Sequence, residues 1–374
     1  MHDREYWTRL RRSLWQPPRP HGEQPRERVV SPLELFYDLA VVVLVAQAAH
    51  HLAGHLTWPG FGEFAVVFSL VWIAWGNGSL HHELHGREDA RARSTFLLQI
   101  LILAAMGSFI PQADGARGAA FAVAAAVLFA VLAVTALLPA SARVQAWGVL
   151  DVLYLAGFAA VLYLADPPQA PGVTVSEALT ERFGAFIIIV LGETLTGVVT
   201  GLSSRPVNAL TLAVGLVAIV VGFGAWWTYF DFAGQRQPRP ERAASVRWIL
   251  GHLPLTAAVA AMGAAMVSLV DHAHDGRTPA ATAWVLCAGA AAMLTTTMLL
   301  ASTLPDWHRD RDLYRPLAWT CTASAVACLG LGAARPAPLL LALVLVVLLS
   351  IPWVFAVARR LATRPPATVP LSAR

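Results

Sequence analysis

Among the carboxylates inside or at the edge of long apolar runs, four stand out: Glu34, Asp38, Glu193 and Asp231. An ionised side chain there costs several kcal/mol unless it is paired or wet, so such groups mark proton or ion paths and polar-solute sites. Glu34 and Asp38 are four residues apart and so share one helix face, together with Val41 and Val45. Two like charges that close need a proton or a basic partner between them. Glu193 lies near the middle of its run, between Gly192 and Thr194, where the glycine lets another backbone approach. Asp231 closes the aromatic stretch Trp226-Trp227-Thr228-Tyr229-Phe230. Arg182, one residue ahead of its run, is a candidate charge partner for any of the four. The plainer reading is anchoring: Glu34, Asp38 and Asp231 lie within two turns of a run end, where a carboxylate reaches headgroup water.

Other chemistry finds less support. His51/His55 and His81/His85 have the i, i+4 spacing that suits a metal. The two pairs fall at opposite ends of the first two runs, however, and cannot form one site. His82-Glu83-Leu84-His85 is one residue short of the zinc-protease motif, and Asp271-His-Ala-His-Asp275 reads as a loop. Cys287, Cys321 and Cys328 lie in apolar runs without metal-type spacing and read as small fillers. A Gly-rich phosphate loop, a nucleophile elbow and a CxxC pair are all missing from the sequence. No metal, no cofactor and no enzymatic activity are expected, and a net charge of +4 gives no reason to expect nucleic acid.

The elements that position these residues must be membrane helices. The chain is 57% hydrophobic and 13% charged, whereas an ordinary soluble domain has roughly a quarter of its residues charged. Apolar runs long enough to span a bilayer recur at 33–53, 62–80, 95–113, 117–138, 146–165, 183–202, 207–231, 248–270, 279–300, 315–333 and 337–358. The expectation is an all-α polytopic bundle of about eleven spans, within a range of about ten to twelve. Residues 31–360 form this transmembrane domain. Residues 1–30, rich in Arg and Pro, read as a retained cytoplasmic segment, and 361–374 as a short tail.

All basic residues are Arg. They cluster before the first run, at Arg87, Arg91 and Arg93, at Arg236, Arg239 and Arg242, at Arg309, Arg311 and Arg315, and at Arg359, Arg360 and Arg364. Such clusters belong inside the cell. Five expected spans separate the second cluster from the third, and an odd number cannot leave both inside. The region 183–231, where one segment could dip without crossing, is the first suspect, and a misplaced break between 95 and 165 the second. A faint internal echo links Glu34-Leu-Phe36 with Glu181-Arg-Phe183, and Trp72-x-x-Trp75-x-Asn77 with Trp226-Trp227-x-Tyr229-x-Asp231. Five intervening helices would make such a repeat inverted, as in many secondary transporters.

Val30-Ser-Pro32-Leu-Glu34-Leu-Phe36-Tyr-Asp38-Leu resembles the opening signature of the bacterial low-temperature-requirement A (LtrA) family. Glu181-Arg-Phe183-Gly184-Ala-Phe-Ile-Ile-Ile-Val-Leu-Gly192-Glu193-Thr194 resembles its second signature, and Trp226-Trp227-x-Tyr229-Phe230-Asp231 also fits. Tyr37 stands where Phe is usual and Thr194 where Ser is common. The resemblance implies a multi-pass protein of the bacterial cytoplasmic membrane and identifies no ligand. The function expected is a transporter or channel-like protein for a small solute or ion, with proton coupling an option and the four carboxylates lining a polar path. The rival is a non-transporting membrane sensor or scaffold that supports the envelope in the cold. Partners beyond the lipid bilayer and the unknown solute are not indicated, and a homo-oligomer is compatible with the sequence.

Overall fold

The computed structural model describes residues 30–85, 175–203 and 208–363, with isolated helical positions between 97 and 106 and at 153 and 156. The described residues are helical wherever they are regular. α1 runs Pro32–Gly54, α2 Trp58–His85, α3 Glu177–Ser203, α4 Ala209–Phe232, α5 Arg242–Asp271 and α6 Ala280–Ala301. The short α7 (Asp306–Arg309) leads into α8 (Arg311–Ala334) and α9 (Pro338–Thr363). Eight of these are long and apolar enough to cross a membrane. The expected spans 95–113, 117–138 and 146–165, the segment 1–29 and most of the 361–374 tail lie outside the described residues, and the count of eleven is not established.

Local sequence sets the helix starts. Ser31 caps α1 in a reciprocal box with Glu34, and Pro32 occupies the first turn, where its missing N–H does no harm. Asn208 caps α4 by accepting the Thr211 N–H. The Ser176 hydroxyl accepts the Leu179 N–H at the start of α3.

α5 is the hub. Of its membrane-length window 78% is buried, against 33–61% for the other spans. Its run of Ala and Gly lets neighbours close in tightly, the usual means of packing helices in lipid. A Cβ on Gly263 would collide with Thr194 of α3, and one on Gly251 would come within 2.8 Å of Leu300 of α6. The opposite faces of the outer helices stay apolar and exposed, as with Leu35, Phe36, Leu39 and Val43 on α1 and Leu343, Val347 and Val354 on α9. Those faces are suited to lipid.

Contacts fix the direction of each span. His51 of α1 reaches Glu63 of α2, while Tyr37 lies against Gly78 at the other end, so the two helices are antiparallel. Arg182, near the start of α3, meets Glu34 and Asp38, near the start of α1. α1 and α3 therefore begin on the same side. Successive hairpins then return the chain, and every described Arg cluster falls on the side where α1 begins. Single Arg residues, Arg277 and Arg335, occupy the other side.

Two expectations are corrected by this geometry. The segment 183–231 does not dip: it forms two complete helices, α3 and α4. The parity conflict lies instead between α2 and α3. Their facing ends are on one side, whereas the three crossings expected there would put them on opposite sides. The inverted repeat is also excluded, because α1–α2 and α3–α4 run in the same sense; any duplication of the two pairs is parallel.

Candidate functional site

The first turns of α1 and α3 bring three charged side chains together in the protein interior. Arg182 is 1% exposed, Glu34 2% and Asp38 0%. The Arg182 guanidinium forks onto Asp38, with Nη2 donating to Oδ1 at 2.6 Å and Nε to Oδ2 at 3.2 Å. Its third arm, Nη1, donates to Glu34 Oε1 at 3.3 Å. Asp38 Oδ1 also accepts the Trp75 indole N–H at 2.7 Å, and Glu34 Oε2 accepts the Ser31 backbone N–H at 2.9 Å. All four carboxylate oxygens thus have a donor. Bidentate, charge-assisted pairing of this kind is the strong form of the interaction and is geometrically specific.

The shared face of Glu34 and Asp38 is therefore turned into the protein, with Val41 and Val45 buried beside it. Around the ions lies an aromatic shell. Trp75 stacks on Phe186 at 4.3 Å, and Phe183 meets Trp75 and Trp248 edge-on or tilted, each at 4.9 Å. His252 follows at 4.7 Å from Phe183. Its Nδ1 donates to the Trp248 carbonyl at 2.7 Å, which leaves Nε2 to accept the Tyr229 hydroxyl at 3.0 Å. Both groups are satisfied with the imidazole in a single neutral tautomer. The shell ties α2, α3, α4 and α5 together at the end where the Arg clusters lie.

The four carboxylates do not converge on one point. Glu193 sits farther along α3, about 16 Å along the helix axis from Arg182. It is half-buried, and among the described residues it has neither a hydrogen bond nor an ion pair. A Cβ placed on the neighbouring Gly192 would meet nothing within 4 Å, and Gly192 shares its helix face with the exposed Ile188, Leu195 and Val199. Asp231 is at the end of α4. It accepts the Trp227 indole N–H at 3.1 Å from within its own helix, and its carbonyl accepts Arg236 Nη2 at 2.9 Å. Arg236 also reaches Tyr314 and Asp306, so Asp231 belongs to a network that fastens the loops at that end.

Several polar groups of the region were not singled out from sequence. Trp75 was visible only as part of the echo, and nothing in the spacing pairs it with Asp38. The capping box Ser31-x-x-Glu34 was readable and accounts for the second role of Glu34. Four fully buried donors, the indole nitrogens of Trp72 and Trp248 and the hydroxyls of Ser79 and Ser245, have no hydrogen-bond partner among the described residues. Ser79 and Ser245 stand out, because most helical hydroxyls here bond back to a carbonyl one turn earlier, as Thr228 and Thr256 do.

Among the described residues no group of three ligands could hold a metal. His51 and His55 lie ring to ring at 4.9 Å, with His51 3.9 Å from Glu63. The side chains of His81, His82 and His85 lie outside the described residues. The three cysteines are free and buried.

Neither a curated protein nor a solved structure matches this sequence. The family model of the bacterial low temperature requirement A protein (LtrA) does match, over residues 29–167 and 125–353. Both signatures fall within those matches, and so do the residues that build the buried Arg182 cluster. The chain is a membrane protein of multiple apolar helices, and it belongs to the LtrA family.

Proposed function

We propose that this protein moves a small solute or ion across the bacterial cytoplasmic membrane in a proton-coupled manner, and that it is not an enzyme. The observation that carries this reading is Glu193. A carboxyl group near the middle of a span is expensive to keep, and this one has no partner among the described residues to justify it structurally. A carboxyl in that position can take up and release a proton wherever water or a solute reaches it from either side. The unpartnered indole donors of Trp72 and Trp248 beside Phe183 support the same reading, since buried polar groups without partners are rare and belong with water or a polar solute.

Glu34, Asp38 and Arg182 then have a different role from Glu193. Their oxygens and nitrogens are matched to one another, so the cluster closes the bundle at the Arg-rich end, and opening there requires breaking it. The Asp231 carboxylate holds Trp227 within its own helix. The rival reading, a non-transporting scaffold, is favoured by the separation of Asp231 and Glu193 from the cluster. Proteoliposomes separate the two. Purified protein in vesicles holding a pH-sensitive dye, with a potassium diffusion potential imposed by valinomycin, should dissipate a proton gradient faster than empty vesicles. Proton flux equal to that of empty vesicles, both alone and across a panel of small ions and solutes, supports the scaffold and defeats transport.

A further inference from the structure

On the side away from the Arg clusters, the loop between α5 and α6 touches the start of α4 at one histidine. Asn208 caps α4, and its Oδ1 accepts the Thr211 N–H at 2.9 Å. That bond fixes which end of the amide is oxygen. The Nδ2 therefore faces His274, 2.8 Å from its Nε2. An amide nitrogen only donates, so Nε2 must carry the lone pair and the imidazole proton must be on Nδ1. The Thr211 hydroxyl lies 3.3 Å from the same Nε2 and donates to it as well. Two donors from one helix start thus converge on a single acceptor nitrogen of the loop.

A second proton on the ring converts that acceptor into a donor facing two donors. It also sets a positive charge on the N-terminal end of α4, where the aligned peptide dipoles disfavour a cation. We propose that His274 is a proton-operated latch, holding the α5–α6 loop to the cap of α4 and releasing it when the side away from the Arg clusters becomes acidic. No charged group on α4 before Asp231 offers the protonated ring a substitute partner at the cap. His272 Nδ1 is taken by the Ser268 carbonyl at 2.7 Å, and Arg335 Nε by the Thr278 carbonyl at 3.0 Å. Asp271 closes α5, and Asp275 and Arg277 lie in the loop on the same side of the contact as the ring, so a charge there does not hold the loop to α4. On α3 no charged residue follows Glu193, and α6 has none; Arg205 lies outside the described residues. The latch bears on the hairpin of α3 and α4, which holds Glu193. It rests on the transport reading only for its purpose, because the latch itself is measured without any transport.

Hydrogen exchange followed by mass spectrometry on the full chain in nanodiscs tests it, at about pH 7.5 and about pH 5.5, across the range where imidazole titrates. His274→Gln serves as the reference at each pH, since it removes the imidazole and shares the intrinsic pH dependence of exchange. Relative to it, wild-type protein should exchange about tenfold faster at the lower pH in the loop 272–279 and the first turn of α4, with the two indistinguishable elsewhere. Asn208→Asp keeps a good cap but offers oxygen to the ring, so its response should reverse, with exchange slowed by acid. Wild type and His274→Gln tracking each other at both pH values overturns the latch. An Asn208→Asp protein that opens in acid as wild type does overturns it too.

Discussion

Removing Arg182 should destabilise this protein severely, because it breaks the buried charge cluster from its only cationic side. Arg182→Gln takes away three charge-assisted bonds at once and leaves Glu34 and Asp38 side by side, 2% and 0% exposed. Breaking a buried ion pair from one side costs about 3–5 kcal/mol, a large part of the roughly 5–15 kcal/mol that holds a typical domain folded. Asp38→Asn should cost about the same, because its new N–H2 group faces the guanidinium fork and one carboxylate oxygen is lost to it. Glu34→Gln should cost less, about 1–2 kcal/mol, since it gives up one bond of 3.3 Å and keeps an oxygen for the cap. Arg182→Lys should fall between, keeping charge but losing the fork. The loss comes from stranded charge, so the triple variant Glu34→Gln, Asp38→Asn, Arg182→Met should recover most of it. Reversible unfolding in mixed micelles by dodecyl sulfate titration, read by tryptophan fluorescence, gives the free energies. The double variant Arg182→Gln, Asp38→Asn should be less destabilised than the sum of its parts by about 2 kcal/mol. An Arg182→Gln protein within about 0.5 kcal/mol of wild type, or strictly additive behaviour in the double variant, refutes the cluster.

Three further outcomes follow from the packing and the topology. Reporters active only in the cytoplasm should be active when fused at either terminus; a silent C-terminal fusion beside an active N-terminal one contradicts the assignment of sides. Gly263→Ala places a methyl against Thr194 at the α3–α5 crossing and should lower stability by about 1–3 kcal/mol, while Gly192→Ala, with open space around it, should leave the unfolding midpoint unchanged. Equal effects from the two glycines would count against that crossing. Cys287, Cys321 and Cys328 should resist maleimide in native membranes and all react after denaturation in dodecyl sulfate, because each is buried; fast labelling of any of them in the folded protein contradicts the core.

Much of the fold was legible because lipid imposes simple rules. An apolar run of spanning length is a helix, and clusters of Arg mark one side. The i, i+4 spacing of Glu34 and Asp38 was enough to place both on one face, and the excess of like charge was enough to require a proton or a basic partner, without deciding between them. Arg182 was the right candidate, but distance along the chain carries no information about which carboxylate it would meet. The partner of Asp38 on α2, Trp75, was out of reach for the same reason. Parity was misassigned to 183–231 because counting apolar runs cannot show which helix starts lie side by side; a single contact, Arg182 to Asp38, does. Asp231 and Glu193 look alike in sequence, each a carboxylate in an aromatic or apolar run. Only their surroundings separate a carboxylate bonded to an indole of its own helix from one with no partner among the described residues.

The stability of Glu193→Gln most directly separates a carboxyl kept for transport from one kept for structure. The substitution preserves shape and removes a costly charge. With no partner to strand, the variant should unfold in mixed micelles at the wild-type midpoint or above it, while proton flux in vesicles falls to the level of empty ones. A Glu193→Gln protein that unfolds well below the wild-type midpoint, by a few kcal/mol as for a broken buried pair, would show that Glu193 has a structural partner and would contradict its place in the path.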